Sequence, residues 1–598
     1  MIYELQAGAL ALPDIFSAVP PRILGLLLWV ISAIICITSA FRGNSKHTPL
    51  ALAAALYTGL FINLYTLVDE VSINLEHAYN LYHYGRFSMS PEAMVDGTVE
   101  YVYYLLHAPF AWSQTSLVAA NFWISYLIGL LHLPLLAGVL DTDPRTRKGM
   151  LQTCAFALSA PLVIVFSSGF GNGLVSLVFL AAIHFAVKGK EWTSLRIGYL
   201  LPLLRPDAIL LSFVNVAVIG IWRRLQNKKI FSSDLIPISP LVHAWLYCLT
   251  IKNTYGHLIP VPINFKSFTP SMLEMLNGLT LFTSILEYFS TASHALGLVL
   301  LVAVPLAHKK LSPRSLQLFL YAAGTLPLLL FYQFTHAMIG DFSFQTYTRY
   351  WIPFEVTLTL LILSVLGNLN WSWSASTEPH ESYRGALILY LCATFPLLTG
   401  QAALSNRTGR IDGMFAGAFT DQYVPRNFTV ATSEMSTFGL MLNRPLIDLW
   451  GYSTPAIAFS KTCNADHIRS NSEFFLATKP DLYWPYWFST GHVKDHPVGD
   501  FVKGTYDTVE ASLATFHHTS KRGNLLGDMN KVLDAYDVVL VKAETNTLAY
   551  LVRKEKRDTL LTALQNLGLK PTRQRPLDRA LFHKLYDPQP LITYRCGT

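Results

Sequence analysis

Charge is what this sequence has least of. Only 14% of its 598 residues are Asp, Glu, Lys or Arg, against 52% that are hydrophobic, and so little charge cannot cover soluble domains of this total size. Long apolar runs make up the difference, and the chain reads as a polytopic α-helical membrane protein. The net charge is +7, but the basic residues form short clusters between apolar runs. No long basic face or interleaved aromatic pattern suggests a nucleic-acid partner. Cysteine is scarce as well, six in all. Cys36, Cys154, Cys248 and Cys392 fall in apolar runs as small core residues. Cys463 and Cys596 lack the paired spacing of a zinc site and are candidates for a disulfide in an oxidising compartment. Internal repeats and low-complexity linkers are missing too. No removable signal peptide is expected, because the first apolar run starts only at Arg22 and has spanning length without a small-residue cleavage site.

What is there is a series of twelve apolar segments, near 22–41, 49–68, 116–140, 150–168, 172–187, 197–205, 208–222, 233–252, 292–308, 315–338, 350–367 and 385–403. Threaded alternately through a bilayer, they put five basic clusters on one face: Arg42 with Lys46, Arg145 to Lys148, Lys188 to Arg196, Arg223 to Lys229, and Lys309 to Arg314. By the positive-inside rule that face is cytoplasmic. Residues 1–403 are therefore expected to form a membrane domain with the N-terminus outside. The 197–205 segment is too short to cross ~30 Å of hydrocarbon at 1.5 Å per residue, so it is expected to be a half-helix joined to the next segment at Arg205-Pro206-Asp207. Past residue 403 charged and turn-forming residues become frequent, and short β-like runs occur at 428–432, 445–450, 537–542 and 547–553. Residues 404–598 are expected to be an extracytoplasmic soluble α/β domain.

The segment ending at Val68 runs straight into Asp69 and Glu70, with His77, Tyr79, Tyr82, His83, Tyr84 and Arg86 close behind. A carboxylate at the bilayer centre costs roughly 2.5 to 3.5 kcal/mol on insertion scales, so an acidic pair marks the membrane-water boundary. Such a pair can simply stop a helix; it can also act as a base on a substrate that reaches the outer membrane edge. From Asp69 to Gln114 the chain is too polar to span yet rich in aromatics, as in short helices lying at headgroup level.

The run Val68-Asp69-Glu70-Val71-Ser72-Ile73, followed by Ala78 to Leu81 and Gly85, resembles the paired-acid element of membrane glycosyltransferases of the GT-C class. The likeness is greatest to bacterial AftB-like arabinofuranosyltransferases. Val95-Asp96-Gly97-Thr98-Val99-Glu100-Tyr101 resembles their V-E-G-Y-T-N element, Leu204-Arg205-Pro206-Asp207 their R-P-[DE] turn, and Tyr255-Gly256 through Pro260 to Lys266 their loop ending in lysine. Gly340-Asp341-Phe342 with Arg349-Tyr350 and Pro353 is similar to their G-D-[WF] and R-[YF]-x-x-P pair. Asn443-Arg444-Pro445 and Lys479-Pro480-Asp481 are similar to parts of their outer domain. The sequence departs from the pattern with Glu70 in place of Asp, Ser168-Gly169-Phe170-Gly171-Asn172 in place of a G-x-E-T turn, and Val261-Pro262 after Pro260.

The resemblance implies transfer of a sugar, D-arabinofuranose, from a polyprenyl-phosphate donor to a hydroxyl acceptor outside the bacterial cytoplasmic membrane. The acceptor would be a cell-wall glycan or lipoglycan, or else a surface protein such as a pilin. Asp69 is the candidate general base, with Glu70 as its substitute, and adjacent helix positions do not face the same way. Lys266, Arg349, Arg205 and His257 are candidates for the donor phosphate, where snorkelling to lipid headgroups is the other use of such cations. Asp96, Glu100, Asp341 and Tyr79 are candidates for the acceptor or sugar, and the three acids could also hold a divalent cation. A transporter or flippase of a lipid-linked glycan is the competing class. Its charges would lie near the bilayer midplane in paired repeats, whereas here they crowd one side.

Overall fold

The computed structural model describes residues 53–54, 56–61, 69–88, 97–140, 152, 169–229, 239–256, 299–304, 312–339, 344–368, 409–432, 436–442, 444, 446–449, 475–484, 534–543, 546–567 and 571–573. Helix α1 spans Asp69–Tyr84 and closes at Gly85, whose left-handed backbone (φ +67°) lets its N–H reach the Leu81 carbonyl at 3.0 Å. A short helix α2 (Tyr101–Leu105) and a 3₁₀ turn (Ala108–Phe110) follow. They expose Leu105, Leu106, Phe110 and Trp112, which suits the expected interfacial position.

The long helices follow. Helix α3 (Gln114–Leu140) is apolar on every side, as a helix between lipid and protein must be, and α4 (Asn172–Val187) packs against it. Helix α5 (Glu191–Gly198) leads to the four-residue α6 (Leu201–Leu204). At Arg205 the chain is extended (φ −153°, ψ 136°), and after a single 3₁₀ turn α7 runs through Ile209–Leu225. The break expected at Arg205-Pro206-Asp207 is present, and the residue before Pro206 takes the extended backbone that proline imposes on its predecessor. Helices α8 (Ser239–Tyr255), α9 (Pro313–Ile339) and α10 (Phe344–Asn368) complete this part. Leu136, Phe179, Ile183, Leu211, Ile219, Tyr321 and Leu358 share one buried core. Among the described residues, 116–140 and 206–225 are helices long and apolar enough to cross a membrane.

Beyond them, α11 (Gly409–Tyr423), α12 (Ser436–Met441) and α13 (Lys554–Asn566) accompany a six-stranded mixed sheet in the order β2-β1-β3-β5-β4-β6. Its strands are β1 (Val430–Thr432), β2 (Leu446–Asp448), β3 (Leu482–Trp484), β4 (Tyr536–Ala543), β5 (Asn546–Arg553) and β6 (Pro571–Arg573). β1 pairs in parallel with β2 and β3; β3, β5, β4 and β6 pair antiparallel. Phe438, Trp484, Val541, Tyr550 and Leu560 lie in its core, with the Phe438 and Trp484 rings stacked at 4.5 Å. Leu440 of α12 instead joins Val71, Leu75 and Ala78 of α1, so the sheet domain is seated on the helix that begins with the acidic pair. Cys463 and Cys596 lie outside the described residues.

Candidate active site

Four of the sequence stretches singled out above meet beside α1. The Arg205 guanidinium is buried, 7% exposed, and each of its nitrogens is engaged. Nη1 donates to Glu100 Oε1 at 2.6 Å and to Asn172 Oδ1, while Nε and Nη2 donate to the two oxygens of Asp207 at 2.9 and 3.0 Å. The second oxygen of Glu100 accepts the Gly171 N–H at 3.0 Å. Arg205 and Glu100 are thus a buried ion pair, with the half-buried Asp207 on the other side of the guanidinium, and directed hydrogen bonds to each partner offset the cost of burying the charges.

Local sequence explains why the groups fit. A Cβ at Gly171 would lie 2.9 Å from Glu100 Oε2 and 2.9 Å from Tyr103 Cβ, and Gly169 has φ +77° with Asn121 Nδ2 2.5 Å from where its Cβ would be. The Gly169-Phe170-Gly171-Asn172 run is therefore the shape that admits Glu100. An acid at position 172 would face Glu100 across the same guanidinium; the amide there accepts from Arg205 without adding a third negative charge.

Segment 97–100 is held from further sides. The Gly97 N–H donates to His77 Nε2 of α1 at 3.1 Å, and the Tyr247 hydroxyl of α8 donates to the Val99 carbonyl at 3.2 Å. Farther along α8, the Tyr255 hydroxyl donates to the Phe87 carbonyl at 2.5 Å. Burial lowers the His77 imidazole to about 3, so it stays neutral and its Nε2 is free to accept. Burial, and then the Glu100 charge, push the Tyr104 phenol well above its usual value. The Tyr103 hydroxyl lies 3.0 Å from Asn121 Oδ1, 2.8 Å from Ser125 Oγ and 3.1 Å from the Gly169 carbonyl, tying α2 to α3 and to the glycine turn.

The orientation of this cluster follows from α4 and α7. Asn172 and Arg205 meet at the starts of the two helices, and Arg223 of α7 meets Glu191, just past the end of α4, at 2.5 Å. The two helices therefore run side by side in the same direction. The polar network sits at the end opposite the basic groups Lys188, Lys190, Arg223 and Arg224.

Tyr79 lies on α1, half-buried against His83 with ring centroids 4.2 Å apart; burial, then the charges of Tyr84 and Asp421, raise its phenol. Asp69 and Glu70 form the first turn of α1, and Arg349 lies in α10; their side chains are outside the described part. Asp96, His257, Lys266 and Asp341 lie outside the described residues altogether, Asp96 being next to Gly97 and His257 next to Gly256. Among the described residues no group of three or more His, Cys, Asp or Glu is placed to hold a metal ion. Glu76 was missed by the sequence reading. It follows Asp69 by seven residues, two turns along the same helix, and its Oε2 is buried with no hydrogen-bond partner. Burial first and the Asp448 charge second raise it to about 8. The spacing from Asp69 was the available signal.

Solved structures can now be compared with this arrangement. ArnT from Cupriavidus metallidurans bound to undecaprenyl phosphate superposes with a TM-score of 0.50 at 10% identity, over 85% of this chain and 98% of that one. The fold is that of the GT-C glycosyltransferases. The likeness is one of fold. Apo ArnT aligns at 0.44 and 11% identity over 84% of this chain and 97% of that one. The Archaeoglobus fulgidus oligosaccharyltransferase tethered to an acceptor peptide aligns at 0.41 and 11% over 86% and 74%. No family model and no curated protein matches the sequence.

Proposed function

We propose that the chain is a glycosyltransferase that moves a sugar, D-arabinofuranose, from a polyprenyl phosphate to a hydroxyl of a cell-wall glycan or lipoglycan. The reaction takes place outside the cytoplasmic membrane. The observation that carries this reading is the buried network joining Glu100, Asn172, Arg205 and Asp207 to α1 through Gly97 and His77, at the end of α4 and α7 opposite their basic loops. A lipid-linked sugar phosphate keeps its tail in hydrocarbon and presents its phosphate and sugar at that same edge. The GT-C fold is consistent with this substrate class, and ArnT in the compared structure is bound to undecaprenyl phosphate.

In the step proposed, Asp69 takes the acceptor hydroxyl proton as the acceptor oxygen bonds to the anomeric carbon, and the carbon–oxygen bond to phosphate breaks. Polyprenyl phosphate leaves with both electrons of that bond. Lys266 and Arg349, with His257, stabilise the charge growing on the departing phosphate. Asp96 and Asp341 hold acceptor or sugar hydroxyls, with Tyr79 at the rim. Incubating purified protein with radiolabelled polyprenyl-phosphoarabinose and separate glycan, lipoglycan and pilin acceptors tests the reading. Label transferred to a glycan acceptor supports it. Lipid-linked sugar crossing a vesicle bilayer with no transfer would instead identify a transporter.

A further inference from the structure

We propose that Glu100 and Arg205 are the positioning pair of this site, and that the Arg205 charge serves to fix segment 97–100 and not to bind the donor phosphate. The inference rests on the glycosyltransferase reading for its kinetic test, and on the structure alone for its physical test.

Residues 97–100 are where four elements meet. Helix α1 holds Gly97 through His77, the start of α4 holds Glu100 through the Gly171 N–H, the α6–α7 break holds Glu100 through Arg205, and α8 holds Val99 through Tyr247. One end of this assembly is the helix that begins with Asp69 and Glu70. Another is α8, whose last residues lead on to His257 and Lys266. The bonds to segment 97–100 therefore fix α1, the start of α4, the α6–α7 break and α8 relative to one another. A misplacement of 1 Å in such a constellation can cost about 100-fold in rate.

Arg205 is poorly suited to the donor. Glu100, Asn172 and Asp207 occupy its Nη1, Nε and Nη2, and two carboxylates outweigh its single charge. A phosphate would have to displace one of these carboxylates from the guanidinium to reach it. Glu100 has likewise given one oxygen to Arg205 and the other to Gly171, which leaves it a poor acceptor for a substrate hydroxyl.

The test uses the full-length protein and the variants Glu100→Gln, Arg205→Gln, Arg205→Lys, the double variant Glu100→Gln/Arg205→Gln, and Tyr247→Phe. Positioning predicts that Glu100→Gln and Arg205→Gln each lower kcat by roughly 100-fold with the donor KM within about twofold, and that the double variant is no worse than either single. Arg205→Lys should recover part of the loss. Tyr247→Phe, which leaves the ion pair intact and the fold least disturbed, should lower kcat by about threefold, again without a KM change. A donor KM raised about tenfold by Arg205→Gln alone, with losses that multiply in the double variant, would overturn the proposal in favour of a phosphate ligand. Hydrogen exchange gives the activity-independent readout. Amides of 97–104 and 171–173 should lose protection in Glu100→Gln and Arg205→Gln, while the middle of α4 keeps it; unchanged protection would also overturn the proposal. If the wild type transfers no sugar from the arabinose donor, the glycosyltransferase reading fails, and the exchange result still decides whether the brace exists.

Discussion

Asp69 is the residue on which the proposed chemistry turns. It lies in the first described turn of α1, seven residues before Glu76. Asp69→Asn keeps size and hydrogen bonding but cannot take the proton, so transfer should fall at least about 100-fold while donor binding persists, as general-base contributions of this order imply. Glu70→Gln should be milder. Turnover measured with labelled donor distinguishes the two, and a near-normal rate in the Asp69 variant would remove it from the mechanism. Glu76 supports a prediction of a different kind. Its carboxyl ionises near the ordinary carboxylate value in the unfolded chain but only at about 8 in the fold. The folded state thus keeps a proton that the unfolded chain gives up. The contribution of Glu76 to stability is therefore greatest below pH 4.5, falls as the pH rises from there to about 8, and stays lower above that. The charge that acts on it from the sheet domain is Asp448, at the end of β2. Glu76→Gln removes the ionisation, so it should raise the melting temperature at pH 8.5 and flatten the pH dependence between 5 and 8 in scanning calorimetry.

At the scale of elements, the start of α4 is a close join between α4 and α2. Gly171→Ala would put a methyl 2.9 Å from both Glu100 Oε2 and Tyr103 Cβ. Overpacking of this kind costs about 1–3 kcal/mol, and the lower melting temperature should come with weaker protection of the Glu100 segment. A variant as stable as the parent would mean that α2 can retreat freely. Lys266 and Arg349 carry the proposed donor contact. Lys266→Ala and Arg349→Ala are expected to raise the donor KM and lower kcat, because each removes charge from the developing phosphate dianion. Kinetics at varied donor concentration check this, and unchanged donor dependence in both would mean that these cations only snorkel.

For the molecule as a whole, the sheet domain, α1, the glycine turn and the Tyr255 end of α8 should all lie on the outer side of the membrane. Leu440 packs on α1, and Tyr255 bonds to the chain just beyond it. Cysteines introduced at 172, 255, 341 and in the tail from 404 onward should react with an impermeant thiol reagent in intact cells. Labelling of 341 or of the tail only after permeabilisation would break up the proposed site.

The sequence alone determined the elements whose signal is local. The apolar run 172–187 coincides with α4, the run 116–140 with all but the first turn of α3, and the proline after Arg205 with the break before α7, because hydrophobic length and the missing proline N–H act within a few residues. The β-like runs 428–432 and 445–450 take in β1 and β2, and the runs 537–542 and 547–553 lie inside β4 and β5. Strand β3 was not legible: Leu482–Trp484 is three residues long, and its burial comes from parallel pairing with β1 on one side and antiparallel pairing with β5 on the other. Only the tertiary structure decided the partners. Glu100 and Arg205 are 105 residues apart, and Glu76 owes its raised pKa to burial under a domain whose Asp448 lies far along the chain. Which acid meets which base, and which carboxyl is stripped of water, depend on packing between distant segments, and local periodicity carries no record of it.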